Sequence, residues 1–118
     1  MLKEKLRLTN NQDFRNIYEQ GKYVAGKPLV VYYLANGSPA PRFGFVASKK
    51  IGKSHERNRA KRLLREAVRA LIPQVKGGYD IIVVARPHIR DKSLTELSVV
   101  LRWALRKAGL MGGGKKEE

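Results

Sequence analysis

Residues 56–69 read ERNRAKRLLREAVR: six arginines and lysines in fourteen positions, with Asn58 set between the first two arginines. Turned at about 100° per residue, the stretch separates into two sides. Ala60, Leu63, Leu64, Ala67, Val68 and Leu71 fall on one stripe at i, i+3, i+4 spacing, and Asn58, Arg62, Arg65 and Arg69 lie opposite, flanked by Lys61 and Arg59. Arg57 falls nearer the apolar side and is expected to reach outward from the first turn. The spacing predicts a helix over roughly 54–71, closed by Pro73, that anchors to a sheet by its apolar stripe and presents its basic face.

Either side of this helix the chain alternates in character. TNNQDFRNIYEQG (9–21) predicts a short first helix, with Thr9 and Gln12 as a capping box and Gly21 as its stop. Phe14, Ile17 and Tyr18 then share one face. YVAG and PLVVYYLA are rich in β-branched and aromatic residues and read as strands, and RFGFVAS follows the loop NGSPAP as a third. The second and third strands are expected to pair as a hairpin with a long connection. YDIIVVARP is a continuous apolar run, as in a strand covered on both faces. SLTELSVVLRWALRKAG is a helix with a capping box from Ser93 to Glu96 and a stop at Gly109. The order α-β-β-β-α-β-α predicts a single α/β (α+β) sandwich over 1–110. The glycine-rich tail, 111–118, is expected to be disordered, since it has nothing to bury.

The chain has 118 residues, 25 Lys plus Arg against 10 Asp plus Glu, and a formal charge of +15. Such an imbalance points to a polyanionic partner, nucleic acid before an acidic membrane surface. No stretch approaches the roughly 20 apolar residues of a membrane span, and the N-terminus lacks the apolar core of a signal peptide. Cysteine is absent, which excludes disulfides and thiolate metal sites and fits a reducing compartment. A cytoplasmic protein without membrane partners is expected.

The charge is concentrated. From Arg42 to Leu71 ten basic residues face two acidic ones, a net of +8, with Lys49, Lys50 and Lys53 just ahead of the helix. A charged helix face is ordinarily only a solvated one. Solvation, however, uses mixed signs, whereas Arg57, Lys61, Arg65 and Arg69 repeat one sign at i, i+4, each such pair costing a few tenths of a kcal/mol. Arginine suits bidentate phosphate contacts. Asn58 both donates and accepts, so it can bond a base edge or a ribose hydroxyl. The helix N-terminus adds free N–H groups for a phosphate. The pattern points to RNA.

RNRAKRLLREAVR resembles the arginine-asparagine-arginine signature of the protein subunit of bacterial ribonuclease P. The likeness runs over roughly residues 5–108: NQDFRNIYEQG is similar to that family's first helix, SKKIG to its approach to the basic helix, and YDIIVVAR to its last strand. The resemblance implies a catalytic RNA subunit that cleaves the 5′ leader from precursor tRNA with Mg²⁺ at the RNA active site. The protein would then bind the leader and the partner RNA, with no catalytic residue and no metal or other cofactor of its own. By match, Lys49, Lys50, Lys53, Arg57, Asn58, Arg59, Lys61, Arg62 and Arg65 would face the partner RNA. Phe14, Tyr18 and Tyr32 would line a cleft for the single-stranded leader. A left-handed strand–helix–strand crossover is also implied, against the right-handed rule.

Aromatic faces stack unpaired bases irrespective of sequence, yet a three-residue apolar stripe on a helix is as readily core. Both readings of Phe14 and Tyr18 stand, with Ile17 toward the core. A self-sufficient nuclease would need clustered carboxylates or an acid–base pair. The acidic residues are scattered, and His55 and His88 read as peripheral. Val99 and Trp103, opposite the leucine stripe of the last helix, are expected to pack on the N-terminal segment, with a partner contact as the alternative. Two rival functions remain: a ribosomal or chaperone-like RNA-binding protein, and a stand-alone nuclease.

Overall fold

The stripe read from residues 60–71 is the buried side of a helix. In the computed structural model, which describes residues 6–111, α2 spans Ser54–Leu71. Its Ala60, Leu64, Ala67, Val68 and Leu71 are buried, each large side chain contributing about 1.5–3 kcal/mol. Glu56 Oε1 accepts the Lys53 N–H at 2.8 Å, which caps the first turn. Gly52, at φ 141°, lets that carboxylate fold back, because a Cβ there would collide with it. Pro73 sits in a short 3₁₀ turn, Ile72–Gln74, directly after the helix.

Two further helices flank the sheet. α1 is Asn11–Gln20 and α3 is Leu94–Lys107. The expected cap on α1 is corrected: Asn10, not Thr9, is the N-cap, its side chain accepting the Gln12 N–H at 2.7 Å. Gly21 ends α1, and a Cβ there would stand 2.5 and 2.6 Å from the carbonyl oxygens of Ile17 and Tyr33. On α3 the capping box forms as read, Ser93 Oγ accepting from Glu96 N and Glu96 Oε1 from Ser93 N. Gly109 (φ 80°) closes it, with Leu110 N–H on the Leu105 carbonyl at 2.8 Å.

The strands are β1 Lys22–Ala25, β2 Leu29–Ala35, β3 Arg42–Val46 and β4 Tyr79–Ala85, in the order β1-β2-β4-β3. β2 pairs antiparallel with both β1 and β4, and β3 runs parallel to β4. The expected β2–β3 hairpin is therefore wrong. β4 lies between them, and its apolar run, buried at five of seven positions, is what a central strand with two neighbours and two covered faces requires.

Alternation along the strands sorts the core into two layers. Leu29, Val31, Phe43, Ile81 and Val83 point to the face packed by α2 and α3. Ile82, with half-buried Tyr32, Leu34, Val46 and Val84, points to the opposite face, where Leu8, Phe14 and Ile17 meet it. The hand of the β3-α2-β4 crossover follows. Phe43 faces α2, yet its carbonyl accepts the Leu8 N–H at 2.7 Å on the edge away from β4. For L-residues, a side chain toward the viewer on a rising strand sends its own C=O to the right. β4 is then on the left of β3 as seen from α2. The crossover is left-handed, the rare case of about 2%. The same test on Arg86, facing away from α2 with its N–H on the Pro28 carbonyl, agrees.

Candidate nucleic-acid interface

The exposed side of α2 is built by exclusion: what the stripe does not bury must face out. Asn58, Arg59, Arg62 and Arg69 are exposed, and Lys61 and Arg65 are half-buried. Asn58, Lys61, Arg62, Arg65, Glu66 and Arg69 line one shallow depression of about 380 Å³ along the helix. Arg65 lies 5.8 Å above the Phe45 ring, so its guanidinium is oriented by a cation–π contact before any partner arrives. Arg57 departs from expectation. Its guanidinium turns back, donating to the Gly52 carbonyl at 2.9 Å and the Ser54 hydroxyl at 3.2 Å. It fixes the helix start and is less free than its neighbours to reach outward. Lys49 and Lys50 stand exposed on a 3₁₀ turn that follows β3, and Lys53 is exposed at the N-cap.

The aromatic residues gather on the other side of the sheet. Ile17 is fully buried, while Tyr18 is 42% exposed. The Tyr18 ring meets Tyr32 edge-on at 4.9 Å, and Tyr32 lies 5.6 Å from Tyr23. Burial and the neighbouring Tyr32 push the Tyr18 phenol above its ordinary pKa. Phe14 is half-buried, its ring directly over Gly44. The two readings of the stripe are thus divided among its members, with Ile17 core, Phe14 wedge and Tyr18 rim. Beyond Tyr32 and Ile82 lies a second cross-strand row, Val30–Val84–Val46, half-buried on the same face. It extends the floor of the cleft toward the end of β3, three residues before Lys49.

Three parts of this cleft were missed. Tyr23 pairs with Tyr32 in register, and period-two alternation in KYVA is the signal that aligns them. The same alternation in YDIIVVA singles out Val84. The third part is an anchor: Asp80, 6% exposed, accepts Arg42 Nε and Nη2 at 2.8 Å each and Asn36 Nδ2 at 2.7 Å. Arg42 also lies 3.7 Å from Asp13 on α1. The bidentate bond to Asp80 holds the Arg42 guanidinium above its ordinary range, against the desolvation that opposes it. α1, β3 and β4 are thereby tied at one end of the cleft.

The structure does not bring the two sets together: the basic face of α2 and the aromatic cleft lie on opposite sides of the sheet. Of the N-terminal segment on which Val99 and Trp103 are expected to pack, residues 1–5 lie outside the described residues, and Leu8 belongs to the opposite layer. Val99 and Trp103 are 65% and 45% exposed, with the inner edge of Trp103 at Gly26. His55 and His88 are both exposed. Among the described residues no three His, Asp or Glu side chains are grouped to hold a metal ion, and no helix is long and apolar enough to cross a membrane.

A family model described as Ribonuclease P matches residues 2–109. The chain belongs to the ribonuclease P protein family. It is 46% identical over 105 residues to the ribonuclease P protein component of Alkaliphilus oremlandii, covering 89% of this chain and 92% of that one. It is 42% identical over 110 residues to that of Caldanaerobacter subterraneus, covering 92% and 95%. The ribonuclease P protein of Staphylococcus aureus superposes with a TM-score of 0.82 at 32% identity, over 91% of this chain and 98% of that one. That of Thermotoga maritima gives 0.77 at 30%, over 85% and 96%. As a ribonuclease P protein, the chain works with the ribonuclease P RNA in the endonucleolytic removal of the 5′ leader from precursor tRNA.

Proposed function

We propose that the chain divides this work between its two faces, in the cytoplasm. The exposed side of α2, with Asn58, Arg59, Lys61, Arg62 and Arg65, docks on the partner RNA, joined by Lys49, Lys50 and Lys53. Arg57 supports it from beneath. The cleft of Phe14, Tyr18, Tyr23 and Tyr32, floored by Val30, Val84 and Val46, takes the single-stranded leader. Sorting by chemistry supports this reading: one face is cationic and suits a phosphate backbone, and the other is aromatic and suits unpaired bases. The Lys49–Lys50 turn lies at the end of the cleft floor, where a strand leaving it would meet positive charge.

The hydrolytic step then belongs to the RNA, with Mg²⁺ held there. Among the described residues no three His, Asp or Glu side chains are grouped to hold that metal, and Asp80, Glu56 and Glu96 are already engaged, the first by Arg42 and the other two in helix caps.

Tyr18→Ala separates the cleft from the fold, because the ring is exposed at the rim. It is expected to weaken precursor tRNA binding by about 1–3 kcal/mol, one base on one ring, while mature tRNA and partner RNA bind as before. Equal loss for precursor and mature tRNA would refute the leader assignment.

A further inference from the structure

Trp103 is the only tryptophan in the chain. It stands on neither face described above. α3 packs on α2, β2 and β1 with Leu97, Leu101, Ala104 and Leu105 buried, leaving Val99, Arg102, Trp103, Arg106 and Lys107 along its outer side at i, i+3, i+4 spacing. These five line one shallow depression of about 520 Å³. The inner edge of the indole meets the β1–β2 turn, Cζ3 lying 3.6 Å from where a Cβ on Gly26 would stand. Arg86 Nη1 donates to the Gly26 carbonyl at 3.1 Å, which holds the β1–β2 turn beneath the indole in place. Among the described residues no acidic side chain lines the depression.

An exposed indole rimmed by cations of one sign is unusual for a solvated surface. It combines what an unpaired nucleic acid strand needs, a ring to stack on and charges for its phosphates. A second copy is disfavoured, since each chain carries +15. We propose that the Val99–Lys107 side of α3 is a third RNA-contact surface, binding an unpaired stretch of RNA by stacking one base on Trp103 and holding its phosphates with Arg102 and Arg106. It is distinct from both surfaces above, and its test does not depend on either.

The lone tryptophan reports on its own site. The full chain is titrated with a short oligoadenylate while indole emission is followed, and the anisotropy of labelled oligoadenylate reports total binding. A saturable change of emission is expected. In Arg102→Ala/Arg106→Ala its dependence of log midpoint on log salt should fall by roughly 1.4, two phosphates at about 0.7 each on single strands. The change should survive both Phe14→Ala and Arg62→Ala/Arg65→Ala. Four results would overturn the proposal. One is constant emission while anisotropy shows the RNA bound. Another is a change that vanishes with Arg62 and Arg65 but persists without Arg102 and Arg106. The third is a change produced by concentrating the protein alone, the mark of a second copy. The last is a response to phosphatidylserine vesicles and none to oligoadenylate.

Discussion

Adding one methyl group at Gly44 tests how the cleft is held open. Gly44 lies in β3 opposite Ile82, beneath the Phe14 ring. A Cβ there would stand 2.5 Å from Phe14 Cζ, 2.7 Å from Cε1 and 3.4 Å from Leu8 Cβ. Ordinary carbon contacts fall at about 3.5–4.0 Å, so the ring must withdraw by about 1 Å and tilt α1 with it. Overpacking of this kind costs about 1–3 kcal/mol, and the lost flexibility of the unfolded chain returns about 0.4–1 kcal/mol. Gly44→Ala should therefore destabilise by about 0.5–2 kcal/mol, a fall in Tm of roughly 2–10 °C. It should also weaken precursor tRNA binding more than mature tRNA binding, because Phe14 moves into the cleft. The decisive assay is a double-mutant cycle by thermal unfolding. With Phe14→Ala in place the new methyl has room, and Gly44→Ala should become neutral or slightly stabilising, a coupling of about 1–2 kcal/mol. If Gly44→Ala costs the same in both backgrounds, Phe14 is not the wedge and the cleft is held some other way.

Removing Arg62 and Arg65 together should lower the salt dependence of partner RNA binding by roughly one to two units of slope; an unchanged slope would mean that this face is merely solvated. Arg65→Ala alone should also cost about 0.5–1 kcal/mol of stability through lost stacking on Phe45, whereas Arg62→Ala should leave the Tm in place. Asp80→Ala removes the acceptor that Arg42 and Asn36 share and should cost up to about 3 kcal/mol, the lower end for a broken buried pair, because Arg42 can regain water and keeps Asp13 nearby; denaturant unfolding showing a loss below about 1 kcal/mol would place the pair among ordinary surface bridges. The backbone N–H groups of Lys53 and Ser93 hold the Glu56 and Glu96 carboxyls below their ordinary range. Their contribution is therefore complete above the ordinary carboxylate pKa and is lost as pH falls through the lower folded values. Glu56→Gln and Glu96→Gln should flatten that acid arm in a Tm series, and an unchanged arm would show that the caps carry none of it.

Much of this protein was legible in residues close together in the chain. The bounds of α2, its buried stripe and its basic face follow from side chains three and four apart, which share a side of any helix whatever it packs against. The capping box of α3, the Gly21 and Gly109 stops and the burial of the YDIIVVA strand on both faces are equally local. So is the sign of the partner, since charge needs no fold to be counted. The family likeness pointed correctly to the left-handed crossover, which local geometry would have turned the other way.

Tertiary structure decided what depends on residues far apart. Period two tells which residues share a face of a strand but not which strand lies beside it, so β4 entered between β2 and β3 where a hairpin was expected. Arg57 counted as one more cation until its guanidinium met the Gly52 carbonyl. The Phe14, Ile17 and Tyr18 stripe became core, wedge and rim only when the sheet rose to different heights beneath it, with a glycine under Phe14 and Tyr32 beside Tyr18. That the cationic and aromatic surfaces lie back to back was settled by the crossover, which puts α2 on one side of the sheet and leaves the other to α1. Spacing along the chain records which residues turn together, and only packing sets what they turn toward.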